Sequence, residues 1–565
     1  MKRSVAVCAF LLLFTGFLAA QEPPTGAFWT IQAAPEKAAQ ELLSRMSPEE
    51  IVSQVFLVGW PQEKPTPLIM EWIRRRNIGG VKIFGWNGEN LYTLARAIAT
   101  MQNAALNTPH GIPLFTATDQ EGGWVRHIKG ATSVTPGNMA IGATGLPYDA
   151  METGYYIGME LRALGVNMNF APDVDVYVNP EAHVIGPRAF GDNATETAML
   201  GTAYFKGLEK ARVIATAKHF PGHGNAKGDS HGMLPVIPDT MDTLWNRDLV
   251  PYRFLIREGL PAILSGHLNF PEVTHNGVPA SLSQYFKHTV LRERLHFKGI
   301  AITDDLYMGG AEQYASENGI TFPQLCVDAL SAGNDMIMLS KTPGLNDAIW
   351  TAVFSEYQNN PDFHARINEA VTRILTIKFR YLQPENRVPL SPDTATISDL
   401  IPDRAAQPFF RDQAARSVTV IRDGMIPFKP ESGTRILLAG KDRDFFREGK
   451  RRFPDADLFS FTDYAFYTAS AADRARFARL AGKYDTVIFC LSDPNSLQVL
   501  EAARNIDTNI IVISILTPVY LQQVPWVKTA IAVYGWGKES LEAGFAVLRG
   551  DYTAEGSLPV SMLDR

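Results

Sequence analysis

Cysteine is nearly missing from this chain, with three residues in 565. Cys8 lies in an apolar N-terminal run, Cys326 in a helical pattern and Cys490 in an apolar strand pattern. The last two read as buried thiols, which excludes a disulfide framework. Positive charge is not in excess: 53 Lys and Arg stand against 59 Asp and Glu, for a net charge of -6. That balance argues against nucleic acid or an anionic membrane as a stable partner. No internal repeat or low-complexity tract is present. The longest apolar run, from Val5 to Ala20, is short for a membrane span. It follows MKRS and precedes QEPP, so residues 1–20 read as a secretory signal, and the mature protein is expected to be periplasmic or extracellular. An uncleaved N-terminal anchor is the alternative. Gln21 stands where a lipoprotein would need its cysteine.

What is present is a soluble, globular composition, 46% hydrophobic and 20% charged, in a chain long enough for two domains. Eight short apolar runs bounded by turn residues come first: QVFLVG (54–59), GGVKIFG (79–85), LFTATD (114–119), NMNFAPD (167–173), VIATAKHF (213–220), AILSGHL (262–268), GIAITDD (299–305) and DMIMLS (335–340). Helix-length segments separate them, the alternation of a parallel α/β fold. The pattern predicts a (β/α)8 barrel over 21–380. Polar residues collect at the ends of these runs: Asp119, Asp173, Lys218, His219, His267, Asp304 and Asp305. In such a barrel that is the C-terminal face, where active sites are built. A Pro-rich linker is expected over 381–411. Five further runs, RILLAG, DLFSFT, TVIFCLS, NIIVISI and TAIAVYG, predict a smaller open α/β sandwich domain over 412–565.

The segment ATAKHFPGHGNAKGDSHGMLP, from Ala215 to Pro235, concentrates the chemistry. His219, His223, Asp229 and His231 are possible metal ligands, although no helical ligand spacing is present. Its glycines suggest a phosphate cradle, but no G-K-[ST] follows. An Asp two residues before a His could instead orient one imidazole for acid–base work.

KHFPGHG followed by DSH, with DQEGG at Asp119 to Gly123, IGPRAFG at Ile185 to Gly191, ITDDLYM at Ile302 to Met308 and the closing GSLPVSM, resembles the β-N-acetylglucosaminidase (β-N-acetylhexosaminidase) branch of glycoside hydrolase family 3. The resemblance implies a retaining glycosidase that releases terminal N-acetylglucosamine from peptidoglycan fragments or chitin-type oligosaccharides. Asp304 would be the nucleophile, and His231 the acid/base with Asp229 fixing its tautomer. Asp305 would hydrogen-bond the loop backbone. Asp119, Arg188, Lys218 and His219 would hold the sugar, with Asp173 and Asp175 behind them. His223 is assigned to loop structure. Glycines 222, 224, 228 and 232 would let the loop swing. The mechanism implies no cofactor and no metal.

The sequence departs from the family in DQEGGWVRHIK. Trp124 and His127 stand where relatives commonly carry arginines, and Arg126 is the candidate substitute for the second. Trp124 is a candidate for stacking on a sugar ring. Three other readings fit the same residues: a phosphorylase, a β-glucosidase, and a lapsed enzyme that binds sugar.

Overall fold

The computed structural model describes residues 26–461 and 470–561. The signal segment with Cys8, and Met562 of the closing motif, lie outside the described residues. Eight parallel strands close into a barrel: β1 (Phe56–Gly59), β2 (Gly80–Lys82), β3 (Phe115–Thr118), β4 (Met168–Asn169), β5 (Ile214–Phe220), β6 (Ala262–Ser265), β7 (Ile300–Asp305) and β8 (Met336–Leu339), with β8 pairing β1. Most strand residues are buried, because helices cover the outer faces of the barrel. Those helices begin where the sequence supplies a cap. In α1 (Leu91–Leu106) the Asn90 side chain accepts from Thr93, and in α2 (Ala194–Lys210) Asn193 accepts from Thr195 and Glu196.

Two register irregularities fall at the C-terminal ends of the strands. The β5–β6 pairing shifts between Ala217 and Phe220, which releases Lys218 and His219 from the regular ladder. The β7–β8 pairing shifts between Met336 and Met338, whose partners are Ile302 and Asp305, so Asp304 sits in the break. Such breaks re-aim side chains at a barrel rim. The opposite face is built for stability: Asp335, just before β8, receives Arg292 (2.6 Å), Arg366 (2.6 Å) and Arg373 (3.0 Å). Two further helices matter below: α3 (Gly309–Glu317), which follows β7, and α4 (Pro361–Leu382), which carries Arg366 and Arg373.

The second domain holds a sheet of six strands, one more than the sequence predicts. They are β9 (Thr419–Asp423), β10 (Ile436–Gly440), β11 (Asp457–Ser460), β12 (Thr486–Leu491), β13 (Asn509–Ser514) and β14 (Thr529–Ala532). The extra strand is β9, an edge that pairs antiparallel with β14 while the others run parallel. Cys326 and Cys490 are both buried free thiols.

The second domain braces the loops of the barrel. The ring of Tyr520 lies 6.0 Å from that of His183, near the start of the segment that carries Arg188. Asp192 N donates to the Pro559 carbonyl at 3.1 Å, and Ser561 donates back to the Asp192 carboxylate through its N (2.6 Å) and Oγ (2.7 Å). Trp536 Nε1 reaches the Gly123 carbonyl at 3.4 Å.

Candidate active site

The rim of the barrel carries an alternating chain of charges. Lys82, at the end of β2, lies 2.7 Å from Asp119 Oδ2; Lys218 lies 2.5 Å from both Asp119 Oδ1 and Glu121 Oε1. Glu121 then takes a two-pronged contact from Arg188, with Nε to Oε2 at 2.9 Å and Nη2 to Oε1 at 2.8 Å. Arg188 Nη2 continues to His219 Nε2 at 3.0 Å, and His219 Nδ1 meets Asp175 Oδ2 at 2.7 Å. Since guanidinium only donates, His219 Nε2 accepts, and Nδ1 carries the proton shared with Asp175. Buried charges persist only when paired in this way.

Burial alone would lift Asp119, but the Lys218 and Lys82 ammoniums outweigh it and hold its carboxyl well below the usual carboxylate range. Asp175 is likewise buried, and His219 draws it down to about 2. Asp173 goes the other way: burial, then the neighbouring Asp175 charge, raises it well above the ordinary value. Asp173, Asp175 and His219 bring ligand atoms within 4.8 Å of one another, the one such group among the described residues. The Arg188 guanidinium lies 3.5 Å from Asp173 Oδ2 and also holds His219 Nε2, so a fixed cation competes with any metal there. The four-residue metal reading of the loop is not met, because His219 and His223 are buried beneath it whereas Asp229 and His231 lie at its exposed tip.

Asp304 and Asp305 part as successive strand residues do. Asp305 Oδ1 accepts from the backbone N of Tyr307 (3.2 Å) and Ser340 (2.9 Å), whereas among the described residues Asp304 Oδ1 takes only the Asp305 N at 2.9 Å. His267 fixes this strand end from below. It is buried, with Nδ1 2.7 Å from Ser281 Oγ and Nε2 3.1 Å from the Asp305 carbonyl.

The glycine-rich loop leaves β5 above this floor. Its root is pinned: His223 N donates to Asp175 Oδ1 at 2.7 Å, and a Cβ on Gly224 would lie 1.8 Å from the Val176 carbonyl. Gly222 likewise packs against Asp248. Of the four glycines expected to give the loop freedom, these two instead permit close packing, and only Gly228, at φ +94°, and Gly232, in open space, lie in the tip. At that tip Asp229 Oδ1 accepts from both His231 N (2.9 Å) and His231 Nδ1 (2.7 Å). The hydrogen bond to Asp229 raises the His231 pKa against the pull of burial, and the Asp304 charge adds to the rise. With Nδ1 committed to Asp229, Nε2 is the ring nitrogen that remains for acid–base work.

The substitutions in DQEGGWVRHIK have distinct outcomes. Arg126 does not join the charged chain; its Nη1 donates to the carbonyls of Thr132 (3.2 Å) and Ser133 (3.1 Å). His127 takes the place beside Asp119, with Nδ1 3.6 Å from Oδ2 and 3.3 Å from Lys82 Nζ. Burial and the Lys82 charge lower it to about 4, so a neutral ring stands here. Trp124 is 44% exposed at the rim. Lys82 and Glu121 are the parts the sequence reading left unassigned. Lys82 had a signal, as the one charge in GGVKIFG.

The model of the glycosyl hydrolase family 3 N-terminal domain matches residues 47–377. The chain belongs to that family and is a glycoside hydrolase. It is 36% identical over 290 residues to β-hexosaminidase A of Pseudoalteromonas piscicida, a match covering 48% of this chain and 47% of that protein. Over 92% of its length it is 26% identical to a β-N-acetylglucosaminidase/β-glucosidase of Cellulomonas fimi, covering 94% of that protein. A family 3 β-N-acetylglucosaminidase structure from Paenibacillus sp. superposes with a TM-score of 0.81 at 28% identity, covering 92% of this chain and 99% of that one.

Proposed function

We propose that this protein is a retaining exo-β-N-acetylhexosaminidase that releases terminal N-acetylglucosamine from peptidoglycan fragments or chitin-type oligosaccharides, working after export. The observation that carries the reading is the Asp229–His231 pair, bonded at 2.7 Å and held over the rim that presents Asp304. In the first step an Asp304 carboxylate oxygen attacks the anomeric carbon while the glycosidic C–O bond breaks. His231 Nε2 gives its proton to the leaving oxygen, and Asp229 stabilises the ring while it is charged. In the second step the now neutral Nε2 takes a proton from water, whose oxygen displaces Asp304 from the sugar. Asp119 accepts from sugar hydroxyls, and Arg188, Lys218 and His219 fix the polar floor.

The names of the relatives support the N-acetyl preference. A phosphorylase is the second reading, favoured by the imidazole in place of a carboxylate base, because a neutral base repels phosphate less. The test is the hydrolysis rate of an aryl N-acetyl-β-glucosaminide against the matching β-glucoside, with and without phosphate, for the wild type and Asp304→Ala. A preference for the N-acetyl sugar that Asp304→Ala abolishes supports the proposal. Equal rates on both sugars, or activity surviving the substitution, overturn it. A sugar phosphate as product selects the second reading.

A further inference from the structure

The tip of the acid/base loop is held by the helix that follows the nucleophile strand. Helix α3 opens four residues after Asp305 with Met308 as its N-cap, which offers no side-chain cap. The N–H groups of a helix's first turn have no partner within the helix. Here two of them find partners on the loop. Gly309 N donates to the His231 carbonyl at 3.1 Å, and Gly310 N donates to the Ser230 carbonyl at 3.0 Å. One turn further on, Gln313 Oε1 accepts from Leu234 N at 2.8 Å. Three hydrogen bonds therefore span residues 230 to 234, on both sides of His231.

The glycines are required by this contact. A Cβ on Gly309 would lie 2.7 Å from the His231 carbonyl oxygen and 2.9 Å from Gly232 Cα. On Gly310 it would meet the Met233 carbonyl at 3.0 Å. Neither position is at positive φ, so backbone conformation does not explain them; close approach of the loop does. The turn between β7 and α3 is itself tied to the nucleophile strand, with Tyr307 N on Asp305 Oδ1 (3.2 Å) and Met308 N on the Asp305 carbonyl (2.9 Å).

We infer that Gln313 and the Gly309–Gly310 pair are positioning residues that dock the Asp229–His231 dyad, setting His231 in a fixed relation to Asp304. The inference rests on the acid/base role proposed above for His231. Undocking the loop should weaken proton transfer while leaving Asp304 and the sugar floor intact. A retaining glycosidase with a failed acid/base still forms its glycosyl-enzyme from a substrate whose leaving group needs no proton. It then turns over slowly, and it fails on substrates whose leaving group must be protonated.

The experiment compares Gln313→Met, Gln313→Glu, Gly309→Ala and His231→Ala in the full chain. The substrates are a dinitrophenyl N-acetyl-β-glucosaminide and N,N′-diacetylchitobiose, and kcat and KM are measured with and without azide. Gln313→Met and Gly309→Ala are expected to lose ~10-fold or more of kcat/KM on the disaccharide, a fraction of the full acid/base contribution. On the aryl substrate kcat/KM should hold within about 3-fold while kcat and KM fall together, and azide should restore kcat. Gln313→Glu keeps an acceptor for Leu234 N and should retain the disaccharide activity. If His231→Ala shows this leaving-group pattern and the Gln313→Met and Gly309→Ala variants do not, the docking inference is overturned. If His231→Ala itself shows no such pattern, the acid/base assignment fails instead. Uniform loss on both substrates without azide rescue would mark the variants as fold defects and also overturn the inference.

Discussion

Lys82 and Asp119 form a buried ion pair at 2.7 Å that links the ends of the second and third strands at the C-terminal rim of the barrel. Lys82 is 1% exposed, so its charge exists there only through its partners. Replacing it by Met should cost about 3 kcal/mol in denaturant unfolding, at the lower end of the range for a broken buried pair because Asp119 keeps Lys218. With one cation gone, the Asp119 carboxyl should titrate at higher pH. The acidic limb of kcat/KM is then expected to move upward, and an unchanged limb would show that Lys82 does not set the charge of Asp119.

His127 and Arg126 are expected to separate in mutagenesis. His127 stands beside Asp119, so if its ring makes one hydrogen bond to the sugar, His127→Ala should raise KM for the N-acetyl aryl glycoside by about 10-fold. Arg126→Ala should change KM by less than about 3-fold, because its guanidinium is engaged with the Thr132 and Ser133 carbonyls. The reverse order would place Arg126 in contact with the sugar.

Asp229→Asn should shift the alkaline limb of kcat/KM on disaccharide substrates to lower pH. The hydrogen bond that His231 Nδ1 donates to Asp229 is the main cause that raises His231 above its ordinary 6.5. Without it, the protonated acid is lost earlier as pH rises, and kcat should fall by ~10². An alkaline limb that stays in place would show that another group donates the proton.

Asp335→Asn tests the opposite face. Three arginines hold the Asp335 carboxyl down at about 2 against an ordinary 3.8. A depressed carboxylate adds stability that is complete above the unfolded value and is lost as pH falls through the folded one. The variant should be less stable by about 3–5 kcal/mol at neutral pH. Its deficit should narrow as pH drops from about 4 toward about 2. Activity per folded molecule should be unaffected, since the cluster lies away from the rim. A constant deficit across that range would rule out the charge as its cause.

The barrel strands are legible because each is a short apolar run between turn residues, a signal contained in the run itself. Strand β9 is not, because it is a half-exposed edge whose pairing partner, β14, lies about a hundred residues onward. The site divides in the same way. Asp119, Lys218 and Asp304 end recognisable strands, and Asp229 and His231 are adjacent in the loop. Glu121 lies inside a quoted motif, but its importance depends on Arg188, 67 residues away, and that of Asp175 on His219, 44 residues away. The glycines show the limit best: Gly222 and Gly224 look like Gly228 in sequence, and only the Asp248 side chain and the Val176 carbonyl pressed against them reveal a packing role.

The clasp between Asp192 and the Pro559–Ser561 tail bears on how the molecule is made. Synthesis runs from the N-terminus, so every barrel strand leaves the ribosome well before Pro559 does. The loop bearing Arg188 then lacks its clasp at Asp192 until residues 559–561 have been made. A nascent chain halted before residue 559 would carry all eight barrel strands without the clasp at Asp192. The bracing of that loop would thus be completed late in synthesis, by a segment that contributes no side chain to the charged chain on the rim.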